Sequence, residues 1–135
     1  MNCNDNCQTI NDILNVIFIL QENVCPNDSC LETCDRKVLG YSCGVLCNTR
    51  PVTLYTCNCC NTPLALPTTK EPDGETSCVF RVEKIDDCSC TLRVLAENPD
   101  TSSAYPYVAT NSFFTIKTSC ICIIKCLDDT YVECL

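Results

Sequence analysis

The chain of 135 residues contains no histidine and only three glycines, and each shortage excludes a kind of site. Without histidine there is no cysteine–histidine pair, the usual arrangement by which an enzyme activates a thiol. Gly40, Gly44 and Gly74 are too few to build a glycine-rich loop that binds phosphate groups. The acidic pairs at 86–87 and 128–129 each lie where a predicted strand ends, a position typical of turns. We therefore predict that the protein is not an enzyme, with no catalytic residue and no cofactor.

Positive charge is also scarce. Nine lysines and arginines stand against 17 aspartates and glutamates, which gives a net charge of −8. The basic residues form no cluster, whereas a protein that binds nucleic acid needs a basic surface. The charge pattern therefore predicts no nucleic-acid partner, and an acidic surface that favours solubility before assembly.

Long apolar segments are missing too. The best candidate covers residues 13–20 and is interrupted by Asn15, whereas a helix needs about 20 apolar residues to cross a bilayer. The opening residues, MNCNDNCQTIND, carry no basic side chain and no small-residue cleavage site. We therefore expect neither a membrane segment nor a signal peptide.

Cysteine, by contrast, is abundant. The chain has 17 cysteines, about 13% of its residues, which is more than a disulfide scaffold usually contains. A domain of this length can bury a core without such support, so folding alone does not require them all. Because 17 is odd, at least one thiol is free, bound to a ligand or bonded to another chain. The CxC motif recurs at 57–59, 88–90 and 120–122, beside predicted strands, so we expect thiols to line the sheet.

The sequence pattern changes from helix to strand along the chain. Apolar residues recur at helical spacing between Ile10 and Leu20, with Thr9 as a plausible N-cap, and predict a helix over about residues 9–23. Residues 25–49 show little periodicity and hold five cysteines, which indicates a cysteine-rich loop layer. Further along, alternating apolar residues predict strands at 50–57 and 64–66, a hairpin of 78–85 and 90–96, one or two strands in 113–127, and exposed loops at 67–77 and 98–112.

These elements predict a mainly β fold. We expect a small antiparallel β-sandwich with one N-terminal α-helix and disulfide-pinned loops. Residues 1–8 form a flexible cysteine-bearing arm in this interpretation, and residues 128–135 form a C-terminal tail. A single domain, 9–127, lies between them, and its sandwich covers 50–127.

Metal binding and redox catalysis are the two alternatives for the cysteines. A structural zinc site usually combines two CxxC pairs, or one such pair with two histidines. Here Cys57 and Cys60 form the single CxxC spacing, and no histidine is available. We therefore predict no metal site, although scattered four-cysteine sites leave a structural zinc-binding module open. The same pair is not followed by a helix pattern, as a thioredoxin-like redox site would require.

The stretch TSCICIIKC (118–126) suggests how the cysteines divide. Alternation along a strand would place Cys120, Cys122, Ile124 and Cys126 on one face, where neighbouring side chains are poorly oriented for a disulfide with each other. The isoleucines of this strand demand burial, so the partners of its cysteines should lie mostly in the same chain. The candidates for intramolecular disulfides are Cys25, Cys30, Cys34, Cys43, Cys47, Cys78, Cys88, Cys90, Cys120, Cys122 and Cys126.

Cysteines near the chain ends differ, because polar surroundings leave them able to reach a neighbouring molecule. Cys3, Cys7 and Cys134 are therefore the candidates for intermolecular cross-links. Exposed bridges of this kind are more easily reduced than buried ones, so mild reductant should loosen assemblies before it unfolds subunits. The remaining thiols, Cys57, Cys59 and Cys60, have no assignment.

Three strings, in this order, resemble the spore coat protein Z family of cysteine-rich coat and exosporium proteins: NTRPVTLYT (48–56), CVFRVEKIDDCSCTLRVL (78–95) and TSCICIIKCL (118–127). The resemblance implies a structural, self-assembling, disulfide-cross-linked subunit in a lattice of the outer bacterial spore layer, made in the mother cell. As partners it implies other copies of the chain and other coat or exosporium proteins. A connector or anchor subunit, joining another spore-surface structure to that layer, is the alternative role.

Overall fold

A computed structural model describes residues 8–22, 41–42, 45–58, 61–133 and 135. This part is mainly β, with one N-terminal helix and antiparallel sheets, as the sequence predicted. The elements are, in chain order, α1 (Gln8–Glu22), β1 (Tyr41–Ser42), β2 (Val45–Leu46), β3 (Val52–Thr56), β4 (Leu66–Pro67), β5 (Thr76–Ser77), β6 (Val79–Asp86), β7 (Ser89–Glu97), β8 (Tyr107–Lys117) and β9 (Ile121–Cys126).

Helix α1 presents the apolar face that its sequence spacing predicts. Leu14 and Ile17 are fully buried in the core, and the next turn adds a polar anchor. The side-chain amide of Gln21 donates to the carbonyl of Val82 at 2.8 Å, and its oxygen accepts from the backbone N–H of Arg50 at 3.1 Å. A buried amide is tolerated only when it is bonded in this way, so Gln21 fixes how the helix end sits against the strands.

The main sheet has five strands in the order β8-β7-β6-β3-β9. Strands β8 and β9 lie at opposite edges, which in a flat sheet would be about 19 Å apart. Yet a 3₁₀ turn of three residues, Thr118–Cys120, connects them, and such a turn rises about 2 Å per residue. The sheet must therefore fold over on itself. The joint is the β3–β6 contact, where Val52 opposite Phe80 is the one register pair between the two strands.

Folding the sheet in this way encloses a core between the ribbon β3–β9, the meander β6–β7–β8 and helix α1. The ring of Phe80 meets that of Phe114 edge to face, with centroids 4.8 Å apart. Buried residues from every one of these layers except β8 form one cluster, and β8 contributes half-buried residues. The buried members are Leu14, Ile17, Val52, Leu54, Phe80, Val82, Cys90, Leu92, Val94 and Ile121.

Several element bounds differ from the sequence prediction. The expected loop 98–112 is shorter, because β8 already begins at Tyr107, opposite Glu97 of β7. A register shift after Arg93 of β7 interrupts the β7–β8 ladder, and polar residues at 110–112 obscure the alternation there. Strand β4 overlaps the expected strand 64–66 at Leu66, and its partner β5 lies inside the expected loop 67–77. Strands β1 and β2 pair inside the expected loop layer.

The C-terminal segment is held more firmly than the expected tail. Arg50 and Asp129 form a bidentate ion pair, with N–O distances of 2.7 and 3.0 Å. Asn48 donates to and accepts from the backbone of Val132, both at 2.9 Å, and Val132 is fully buried. Backbone bonds between Thr49 and Thr130 add to these contacts. Residues 127–132 therefore belong to the folded body.

Candidate functional site: the thiol corner

Four cysteines from three separate segments gather at one corner of the sheet. We call this set, Cys57, Cys88, Cys120 and Cys122, the thiol corner. The backbone N–H of Cys57, just after β3, donates to the carbonyl of Cys120 at 3.1 Å. The N–H of Thr118 donates to the carbonyl of Cys88 at 2.9 Å. These two bonds bring the ends of β3, β8 and the β6–β7 hairpin together.

Two of the corner sulfurs lie side by side. The Sγ atoms of Cys57 and Cys122 are 2.7 Å apart, and the Cys57 sulfur lies 3.9 Å from the carbonyl oxygen of Ser119. The ribbon β3–β9 thus brings these two sulfurs into contact.

A bulge in β9 explains why Cys122 faces outward. Tyr55 pairs with Ile123 and Thr56 with Ile121, so Cys122 is the extra residue between two register positions. The alternation that the sequence suggested is broken there, and Cys120 belongs to the 3₁₀ turn. The prediction that Cys120 and Cys122 share a face with Ile124 and Cys126 is therefore wrong. The last two pack against the core, whereas Cys120, Cys122 and also Ile123 are exposed.

Cys88 is displayed at the tip of the hairpin. It is exposed and forms a two-residue turn with Asp87, between the register pair Asp86 and Ser89. Its φ angle of 53° lies in the left-handed region, which costs a residue with a β-carbon about 1 kcal/mol or more. A glycine or asparagine would suit this position better, so the turn carries a disulfide-bonded cysteine in spite of the backbone preference.

The cysteines outside the corner are less accessible. Cys90 is 1% exposed within the core, and burial raises the pKa of its thiol from 9.0 to about 12. Cys47 packs against Leu20 in a smaller buried cluster, and Cys78 is half-buried. Cys78, Cys90 and Cys120 are free thiols. Cys57, Cys88 and Cys126 are disulfide-bonded, and the predicted pairings themselves stay predictions.

Nine of the predicted site cysteines lie outside the described residues, so their assignments also stay predictions. They include all three cross-link candidates near the chain ends. The nine are Cys3, Cys7, Cys25, Cys30, Cys34, Cys43, Cys59, Cys60 and Cys134.

The burial of Cys90 gives a testable difference between thiols. At pH 8 a thiol with a pKa of about 12 has roughly a thousandfold less thiolate than one with a pKa of 9.0, and alkylation requires the thiolate. We expect iodoacetamide to label Cys120 in the folded protein and to leave Cys90 unmodified, as read by peptide mass spectrometry. Labelling in denaturant provides the control, since both residues should then react. Equal labelling of both residues in the folded protein would contradict the burial of Cys90.

A cleft of ≈ 610 Å³ opens at another part of the surface, between residues 103–107 and 125–130. The rings of Tyr105 and Tyr131, which neighbour the lining residues in the sequence, lie 5.3 Å apart. Burial, followed by the nearby Cys78, Asp128 and Glu97, raises the pKa of Tyr107. Its hydroxyl therefore stays protonated at neutral pH.

Candidate metal sites and membrane-spanning helices are both absent from the segments that the structure describes. No group of three or more cysteines, aspartates or glutamates within them is arranged to hold a metal ion. Helix α1, the one α-helix among the described residues, is too short and too polar to cross a bilayer.

Sequence reasoning missed the corner itself. The CxC motifs predicted cysteines beside strands, but not that backbone bonds join the segments of their first members, Cys57, Cys88 and Cys120. The position of these three at strand or hairpin ends was the available signal. The second cysteines of two CxC motifs differ in burial: Cys90 is buried in the core, whereas Cys122 is exposed.

A small, mainly β domain with several thiols on its surface fits the class of cysteine-rich structural proteins. Comparison with family models gives the family: the chain belongs to the spore coat protein Z family, whose model matches residues 1–107. Two of the resembling strings, at 48–56 and 78–95, lie inside this match, and TSCICIIKCL lies beyond it. No curated protein and no solved structure matches the chain. Family membership implies a structural component of the spore coat, located at the spore surface.

Proposed function

We propose that this protein is a self-assembling subunit of the outer spore layer, with disulfides that join neighbouring copies. The observation that carries the proposal is the thiol corner, together with membership of a coat-protein family. Cys88, Cys120 and Cys122 are exposed on short turns and a strand end. Folding gains little from cysteines at exposed positions, whereas covalent assembly needs them there.

The architecture supports a structural role. The core is closed by a helix and two layers of strands, and the C-terminal segment is fixed by a buried ion pair. A rigid body of this kind can transmit force between neighbours without unfolding. The acidic charge keeps single copies soluble until their contacts form.

We further propose that Cys3, Cys7 and Cys134 supply cross-links between copies. Val132 is buried, so Cys134 follows the folded body by two residues. A cysteine this close to a fixed point can reach an adjoining molecule but not much farther. The partners in this proposal are other copies of the chain and other coat or exosporium proteins.

Changing Cys3, Cys7 and Cys134 together to serine tests these assignments. We expect fewer covalent oligomers on non-reducing gels and a thermal melting temperature within about 2 °C of the parent, because the core of the described segments is unchanged by these substitutions. Electron microscopy with and without reductant checks whether the parent forms sheets or fibres. The control is Cys78→Ser, which changes a half-buried thiol and should leave the gel pattern intact. A parent protein that stays monomeric in both conditions would contradict self-assembly.

A further inference from the structure

One face of the thiol corner has the composition of a contact surface. Cys88, Cys120 and Cys122 are exposed there, and Ile123 is 45% exposed beside them. The face combines thiols with an exposed apolar side chain at the end of an edge strand, where the sheet has no further strand among the described segments. A second molecule that docked on this face would cover Ile123 and bring a partner next to the free thiol of Cys120.

Cys120 is the member of the corner that points to a partner. Its thiol is free and exposed, and the turn that carries it is fixed on both sides. Thr118 is fully buried at the start of the turn, and the carbonyl of Cys120 accepts from Cys57. Cys57 and Cys88 are disulfide-bonded, and the Cys122 sulfur contacts that of Cys57 at 2.7 Å, so we take Cys120 as the thiol that is available to a partner.

The charges around the corner are of both signs. Asp87 lies in the hairpin turn, and Lys117 ends β8 directly opposite Ser89, so the two charges border the same patch. Lys84 and Asp86 add an exposed, 3.8 Å pair on the hairpin. Neither Asp87 nor Lys117 forms an ion pair with another described residue. A patch with one uncommitted charge of each sign is complementary to a rotated copy of itself.

We propose that two copies of this chain dock thiol corner to thiol corner about a two-fold axis and become joined by a disulfide between their Cys120 residues. In this arrangement Lys117 of each copy faces Asp87 of the other, and Ile123 is covered. The inference rests on the proposed function and adds a cross-link in the folded body to those near the chain ends. In an isologous contact a residue near the axis meets its own counterpart, which is why a single cysteine suffices.

The bond forms by exchange with a small-molecule disulfide such as oxidised glutathione. The thiolate of Cys120 in one copy attacks a sulfur of glutathione disulfide and releases one glutathione. Cys120 of the second copy then attacks the protein sulfur of the mixed disulfide and releases the second glutathione. Two cysteine sulfurs are oxidised, one disulfide is reduced, and the two protons leave with the glutathione thiols.

The experiment uses the full chain with Cys3, Cys7 and Cys134 changed to serine, purified reduced and then treated with oxidised glutathione. We expect a covalent dimer on non-reducing gels, and a tryptic peptide 118–125 bonded to a second copy of itself. Adding Cys120→Ser should remove the dimer, whereas Cys122→Ser and the control Cys78→Ser should retain it. A dimer that persists without Cys120 would overturn the proposal, as would its absence in the parent background.

Charge variants test the docking independently of the thiol. Lys117→Glu should slow dimer formation about tenfold, because glutamate would face Asp87 of the other copy. Combining Lys117→Glu with Asp87→Lys should restore the rate, since the contact is then reversed in sign. An unchanged rate in the single variant, or no recovery in the double variant, would overturn the two-fold arrangement. If the chain with Cys3, Cys7 and Cys134 changed to serine forms no Cys120-linked dimer while the parent chain still forms sheets or fibres, this inference fails and the proposed function stands.

Discussion

Replacing Asp129 by asparagine should lower the free energy of unfolding by roughly 3 kcal/mol, because it removes the carboxylate that pairs with the buried guanidinium of Arg50. The side chains of Arg50 and Asp129 are only 3% and 11% exposed, and two N–O contacts join them. Breaking such a pair by removing one partner costs far more than breaking an exposed pair, because the remaining charge cannot regain its water. Urea unfolding under reducing conditions, followed by circular dichroism, measures the change.

Asp128 provides the matched control for this experiment. It is the adjacent residue with the same side chain, but it is exposed and the described residues give it no ion pair. Asp128→Asn should therefore change the free energy of unfolding by less than about 0.5 kcal/mol. If both variants unfolded alike, the C-terminal segment would not be fixed by the Arg50–Asp129 pair.

The elements that the sequence predicted well are those with local, periodic signals. The spacing from Ile10 to Leu20 predicts α1 to within one residue at each end, and alternation around 78–96 predicts the β6–β7 hairpin. Both patterns depend on neighbours that are close in the chain.

Long-range contacts left no such signal. Residues 127–132 are held by Asn48 and Arg50, which lie about 80 positions earlier in the chain. The polar residues of this segment are typical of a tail, so the sequence predicted one. The β9 bulge is equally hidden, because one extra residue reverses the faces of Cys120 and Cys122 without changing the composition. Periodicity assumes an unbroken strand, so it predicted burial for Ile123, which is 45% exposed.

The family match and the thiol corner do not share the same limits. The match ends at residue 107, where β8 begins, yet β8 and β9 complete the sheet. Cys57 and Cys88 lie inside the matched region, whereas Cys120 and Cys122 lie beyond it. The corner therefore combines two thiols from the family region with two from the segment that follows. If the cross-link between copies depends on Cys120, the residue that forms it lies beyond residue 107, outside the part of the chain that matches the family model.

Replacing Phe80 by alanine should have the largest effect of any single substitution considered, a loss of about 3–5 kcal/mol in the free energy of unfolding. Phe80 is fully buried, pairs with Val52 at the joint between β3 and β6, and meets Phe114 edge to face. The substitution leaves a cavity at the point where the ribbon folds over the meander. That cost is a large fraction of the 5–15 kcal/mol by which a domain is usually stable.

Phe113 is the matched control. It has the same side chain as Phe80, lies on β8 next to Phe114, and is 47% exposed. Its main contact is the guanidinium of Arg93, 4.4 Å from the ring centroid, and such an exposed cation–π contact contributes about 0.5–1 kcal/mol. Phe113→Ala should therefore unfold at a urea concentration close to that of the parent, whereas Phe80→Ala should unfold well below it. Similar midpoints for the two variants would show that the β3–β6 joint does not support the fold, because of these two phenylalanines only Phe80 lies at the joint.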